Sequence, residues 1–187
     1  MIAMDEITIR AAKPSDARGI ALLDVETWRE TYPGMLPAGF LVGLSRRRRE
    51  IAWREAILIE PGDVLVAVDG AGAILGFGSC GSNRSDRGYA GEVFTLYVAP
   101  DWQNRGIGRR LLCALFARLV ARGRNSAIVW VLAANPSRFF YSRLGGREVS
   151  RKRFSVAGAF VEAAGYGWRN LPGYLAAAAN QGREPPA

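Results

Sequence analysis

The chain has 187 residues, 49% hydrophobic and 22% charged, a size and balance that predict one globular domain able to bury its core without disulfide or metal staples. It contains no histidine, which excludes histidine general bases, Ser-His-Asp triads and the common zinc sites and leaves proton transfer to Glu, Asp, Tyr, Lys, Cys or water. The formal net charge of +8 fits either an arginine-rich surface or an anionic partner: a phosphorylated cofactor, nucleic acid or an acidic surface.

Asp5 and Glu6 stand where a secretory signal would carry basic residues, and no apolar run reaches membrane-spanning length, so the expectation is a cytoplasmic protein with no membrane partner. Ile7–Ala11 alternates as a short strand. Pro14, Ser15 and Asp16 open a helix with Ile20, Leu23 and Thr27 on one face, ending before the turn-rich Tyr32-Pro33-Gly34. Pro37–Leu44 reads as a short second helix. A third is capped by Ser45 and runs to Ile59, where Pro61-Gly62 stops it. Its first turn holds Arg46, Arg47, Arg48 and Arg49, four cations that oppose the helix dipole and hint at an anionic contact.

Val64–Val68 and Ile74–Cys80 form a hairpin about Asp69-Gly70. A polar loop, Ser82–Gly88, precedes a third strand, Glu92–Val98. Pro100–Arg105 is a loop, and Ile107–Ala121 is an amphipathic helix with Ile107, Leu111, Leu115 and Leu119 at helical spacing. Ala127–Leu132 is a buried strand, Ser137–Leu144 a short helix ending at Gly145-Gly146, and Arg147–Phe154 with Phe160–Trp168 a last hairpin around Gly158. Cys80 and Cys113 fit no CxxC pattern and read as reduced thiols. The Ala-rich end is expected to fray, which puts one domain at 1–172 and a tail at 173–187. The element order predicts an α/β (α+β mixed) fold with a mixed, mostly antiparallel sheet flanked by helices.

Chemistry concentrates where Val93-Phe94-Thr95-Leu96-Tyr97-Val98 runs through a loop into Gln103-Asn104-Arg105-Gly106-Ile107-Gly108-Arg109. Gly106 and Gly108 clear side chains from the backbone. The first N–H groups of the helix lack intrahelical partners, and the dipole favours an anion there. Arg105 and Arg109 add charge-assisted donors. Arg109-Arg110 replaces the Lys-Ser/Thr of a Walker loop, and Leu111 stands where a dinucleotide fingerprint needs its third glycine. The remaining reading is a diphosphate cradle.

These residues resemble the GNAT superfamily of N-acetyltransferases, whose phosphate loop reads Gln/Arg-x-x-Gly-x-Gly/Ala. A second block, Asn135-Pro136-Ser137-Arg138-Phe139-Phe140-Tyr141 through Gly146, resembles the family's downstream stretch. It departs at Ser137, where Ala is usual, and at Gly146, often Phe. Trp28 to Pro37 is similar to one branch whose substrates are largely unassigned. The resemblance, from Ile7 to about Trp168, implies acetyl-CoA as cofactor and an amine acceptor, with dimers frequent among relatives. It implies that backbone near Leu96, Tyr97 and Val98 holds the pantetheine arm and polarises the acetyl carbonyl. Residues 103–109 would bind the pyrophosphate, and Phe140 would lie beside the cofactor.

The resemblance further implies Tyr141 as the acid for the departing thiolate, and Glu92 as a base acting directly or through water. Asp86, Glu26, Glu30 and bulk water are the alternatives to Glu92, and core packing is the alternative for Tyr141. Asn135 either binds the pantetheine arm or caps the helix after Pro136. Trp28 and Tyr32, four apart on a helix, either wall an acceptor pocket with Glu92 and the 82–89 loop or pack in the core. Two other functions remain open: a non-catalytic acyl-CoA sensor, and a basic nucleic-acid binder, for which no recognised motif appears. The sequence names neither the acceptor nor the length of the acyl group.

Overall fold

A computed structural model describes residues 7–84 and 88–181; Asp5, Glu6 and Asp86 lie outside them. Seven strands form one sheet, in the order β1-β2-β3-β4-β5-β7-β6. They are β1 (Thr8–Ala11), β2 (Val64–Val68), β3 (Ile74–Ser82), β4 (Gly91–Val98), β5 (Ala127–Leu132), β6 (Arg147–Val156) and β7 (Ala159–Trp168). Every pairing is antiparallel except β4 with β5, as the run of hairpins in the sequence predicts. The helices are α1 (Ala17–Thr31), α2 (Ala38–Val42), α3 (Arg46–Ile59), α4 (Ile107–Ala121), α5 (Arg138–Arg143) and α6 (Leu171–Gln181).

Strand periodicity divides the core into two layers. Val64, Val66 and Val68 of β2 meet Ile20 and Leu23 of α1 and Ile57 of α3 on one face. Leu65 and Ala67, pointing the other way, meet Leu111, Leu112 and Leu115 of α4. Burial of such aliphatic side chains contributes on the order of 2 kcal/mol each. Arg29 ties the end of α1 to α2 by donating to the carbonyls of Leu41, Val42 and Leu44.

Three expectations change. The β2–β3 turn takes its left-handed residue at Gly72, not Gly70, because the Asp69 carboxylate accepts from the N–H groups of Ala71 and Ala73 and widens the loop. The frayed end predicted from residue 173 is instead helical to Gln181. Leu171 there is fully buried, and the Tyr174 ring lies 5.5 Å from Phe116 and 6.5 Å from Trp168. Two of the four arginines pair within the chain, Arg46 with Glu26 and Arg49 with the buried Asp24, while Ser45 caps α3 by accepting from the Arg48 N–H. The side-chain ion pairs to α1 offset the unfavourable dipole.

Candidate active site

The site begins with one extra residue. Ser79 pairs with Thr95 and Cys80 with Val93, so Phe94 bulges out of the β3–β4 ladder. On its other side β4 pairs with β5 only at Gly91, Glu92 and Val93. Beyond the bulge the two parallel strands part. The opening holds a cavity of about 1090 Å³, with Phe94–Val98 on one wall and Val129–Leu132 on the other. The Ala99 N–H donates to Leu75 on β3. Alternation along the strand therefore turns the N–H groups of Leu96 and Val98 toward the wedge, while their side chains pack on the core under α4. Backbone recognition and core packing coexist there, as the sequence allows.

At the end of the wedge the chain turns into α4. Gly106 is the left-handed N-cap, with φ +76°, and Asn104 shares that region at φ +59°. Among the described residues none accepts a hydrogen bond from the N–H groups of Asn104, Arg105, Gly106, Ile107 or Gly108. Five donors beside the positive end of a helix fit a diphosphate. Asn104, Gly106, Gly108 and Arg109 line the cavity. Gln103 also lines it, but its amide donates to the Val98 carbonyl at 3.1 Å, so its side chain closes the loop. The Ile107 side chain is buried in the core, leaving its N–H for the site. The Arg105 guanidinium lies over Trp102 at 4.8 Å and does not line the cavity. Gly108 clears room for a protein side chain as well as for a ligand: a Cβ there would stand 3.2 Å from the Phe140 ring.

Tyr141, on α5, lines the cavity and is buried, with its ring 5.2 Å from Phe140 and stacked on Tyr166 at 6.2 Å. Burial pushes its phenol far above the ordinary value, so the hydroxyl keeps its proton. No described residue is hydrogen-bonded to that hydroxyl. Asn135 Oδ1 accepts from the Ser137 N–H at 2.9 Å, closing a turn before α5, whose N-cap is Ser137 rather than the expected Asn135. Its side chain also lines the cavity.

The opposite wall comes from the face under α1. Glu92 is 5% exposed and sits where β4 and β5 still pair, opposite Ile128. Its carboxylate accepts from the Arg84 N–H at 3.0 Å and from the Arg84 guanidinium at 3.3 Å. Two acceptor sites are thereby fixed and the others left for a proton or a water. Arg84 also covers the bulged Phe94 ring at 3.7 Å. Tyr32 and Trp28 line the cavity, their rings 4.9 Å apart, and pack with Leu36 and Leu41. For these two, lining and packing are the same arrangement. Glu26 is paired with Arg46, and neither it nor Glu30 lines the cavity. Burial pushes the Cys80 thiol up to about 12 and raises Cys113 as well, so both thiols stay protonated.

Sequence reasoning missed Arg84, Thr95, Trp130, Lys152 and Phe154, which also line the cavity. The alternation of β5 and β6 hinted at inward residues, but no spacing rule joins β6 to β4. Among the described residues no group of three or more His, Cys, Asp or Glu is placed to hold a metal ion, and no helix is long and apolar enough to cross a membrane.

A wedge between parting parallel strands, leading to bare amides at a helix start, is the frame of an acyl-CoA transferase. The family model described as FR47-like protein matches residues 84–155, which span the bulge, the phosphate loop and β6. An uncharacterized N-acetyltransferase of Bacillus subtilis, YuaI, is 36% identical over 88% of this chain and 94% of its own. An L-methionine sulfoximine/L-methionine sulfone acetyltransferase of Pseudomonas paraeruginosa is 34% identical over 53% of this chain and 58% of its own. The fold matches yncA of Salmonella typhimurium, a putative acetyltransferase solved with acetyl-CoA, at TM-score 0.66 and 23% identity over 88% of this chain and 94% of that one. The chain belongs to the GNAT superfamily of acetyl-CoA-dependent N-acetyltransferases.

Proposed function

We propose that this acetyltransferase moves the acetyl group to a primary amine by direct attack, with cofactor and acceptor bound together on opposite faces of the sheet. One observation carries the reading. The cavity passes through the parted strands, so its α4 side meets the phosphate loop at Asn104, Gly106 and Gly108, whose N–H groups are bare, and its α1 side meets Glu92, Trp28 and Tyr32. Holding both reactants in one cleft removes much of the entropic barrier.

Bound acetyl-CoA supplies an activated acyl thioester. The N–H groups of Asn104 to Gly108, with Arg109, hold its pyrophosphate, and the Leu96 and Val98 edge holds the pantetheine arm. The same edge presents donors to a carbonyl oxygen that gains negative charge during attack. Asn135 and Phe140 border the arm. Glu92, oriented by Arg84, accepts a proton from the amine, directly or through water. Tyr141 keeps its proton through burial and donates it to the departing sulfur. Trp28 and Tyr32 wall the acceptor side.

Calorimetry with CoA and a thiol-release screen with acetyl-CoA over an amine panel test the reading. Binding followed by acceptor-dependent release is expected. Binding with no release from any amine would instead describe a sensor. Tyr141→Phe is expected to lower kcat about a hundredfold, the low end for general acid catalysis, with CoA affinity unchanged. Unaltered turnover would reject Tyr141 as the acid.

A further inference from the structure

The α1 face of the cavity carries a cation that the reaction above does not use. Lys152 on β6 stands opposite Ala163 on β7, and Gly165, two residues further on, stands opposite Trp130 on β5. These four share the face turned toward α1, because the alternating residues Val129, Val131, Ala164 and Tyr166 belong to the core under α4. With Ala163 and Gly165 beneath it, the Lys152 side chain crosses β7 and sets its ammonium 3.9 Å from the centre of the Trp130 ring. The passage depends on the small residues: a Cβ on Gly165 would stand 3.0 Å from the Trp130 ring.

Among the described residues no carboxylate lies within ion-pair distance of Lys152. Glu92, the only carboxylate among the described residues that lines the cavity, is paired with Arg84. An aromatic face steadies an ammonium but does not neutralise it. Desolvation lowers the Lys152 pKa from its ordinary value, against an opposing attraction to Glu92. The described residues thus leave the acceptor half of the cavity net positive, with its cations held by Phe94 and Trp130. That field repels a polyamine or a lysine-rich peptide and attracts an amine whose other end is anionic.

We propose that the acceptor is a small primary amine bearing an oxyanion such as a carboxylate, and that Lys152 is the specificity-determining residue that binds it. The inference rests on the acetyltransfer reading and adds the class of acceptor. The ammonium donates charge-assisted hydrogen bonds to the oxyanion, while Glu92 takes the proton from the amine end. Arg84 is committed to Glu92 and adds positive potential.

The test uses matched pairs: each standard L-amino acid and its carboxamide, which keeps the amine and removes the charge. Calorimetry on the CoA-loaded enzyme measures binding, and thiol release from acetyl-CoA measures turnover. At least one acid is expected to exceed its amide by about tenfold or more in both. Lys152→Met, which keeps the stem over Trp130, is expected to raise the KM for that acid about tenfold and to erase the acid-over-amide preference, with the KM for acetyl-CoA unchanged. Lys152→Arg restores the preference. Amides that bind and react as well as the acids, no binding of either, or a preference that survives Lys152→Met would overturn the proposal. Selective acid binding with no thiol release would leave Lys152 as an anion reader and defeat the acetyltransfer reading instead.

Discussion

The hydroxyls of Tyr32 and Tyr97 meet at 3.1 Å, joining the C-terminal end of α1 to the strand that walls the cavity. Both phenols are raised by burial, Tyr97 the more strongly, so the pair stays neutral and shares one hydrogen bond. Each hydroxyl is the other's hydrogen-bond partner, so Tyr97→Phe and Tyr32→Phe each leave one phenol without it. The expected costs are about 1 kcal/mol for Tyr97→Phe and about 2 kcal/mol for Tyr32→Phe, since Tyr97 is the more strongly desolvated phenol and the dearer one to orphan. Urea unfolding of the two single variants and the double variant measures both costs and their coupling. Equal single costs with no coupling would remove the bond from the account.

The two loop glycines differ in what they guard. Gly106 has φ +76° and nothing within 4 Å of its would-be Cβ, so Gly106→Ala adds strain without a clash. A left-handed non-glycine costs about 1–2 kcal/mol, and relief of that strain would turn the bare amides. Gly106→Ala is expected to weaken CoA binding about tenfold while kcat at saturation stays near wild type. Gly108→Ala instead presses on Phe140, whose ring lies beside Tyr141. There kcat should fall too, and Gly108→Ala with Phe140→Leu should recover it. Titration calorimetry and steady-state kinetics separate the two patterns, and identical effects from both alanines would contradict it.

Acid stability has a local contributor in Asp16. Its carboxylate accepts from both terminal nitrogens of Arg10, at 2.6 and 3.0 Å, and from the Lys13 N–H at 2.8 Å. The Arg10 hydrogen bonds lead, over opposing desolvation, in holding its pKa below the ordinary carboxylate value. A carboxyl lowered on folding stabilises fully above its unfolded pKa, about 3.9. That stabilisation is lost as pH falls through the lower folded value. Asp16→Asn should therefore cost about 1 kcal/mol at pH 7, a modest figure because solvent screens a partly exposed pair. Urea midpoints of variant and wild type should converge as the pH falls below the folded value. A gap that persists at low pH would assign the effect to packing.

The sequence made some of this legible for physical reasons and hid the rest for others. The phosphate loop could be read because its whole geometry is local: two glycines, a helix start and adjacent arginines within 103–109. The hairpins were equally local, down to the two-residue turn at Ala157 and Gly158, both at positive φ. The wedge was not legible, because one bulged residue, Phe94, creates it and no nearby pattern marks a bulge. Lys152 escaped for a related reason. Its position depends on β6–β7 register and on two small residues in the neighbouring strand, all far in sequence from Glu92. The internal partners of Arg46 and Arg49 were hidden because Glu26 and Asp24 lie on a preceding helix.

The C-terminal helix carries the remaining prediction. Its sequence, rich in alanine from Ala176 to Ala179, reads as a weakly anchored end, and alanine alone buries little area. The anchor lies earlier. The Leu171 N–H donates to the Asn125 carbonyl at 2.9 Å, its side chain is fully buried, and Tyr174 packs edge-on against Phe116. Leu171→Ala should then cost about 2–5 kcal/mol, the range for emptying a packed aliphatic site. Ala178→Gly, two turns further on, should cost only the helix-propensity difference of about 1 kcal/mol. Urea unfolding distinguishes them. A Leu171→Ala cost no larger than that of Ala178→Gly would mean that α6 contributes little to the core beneath α4.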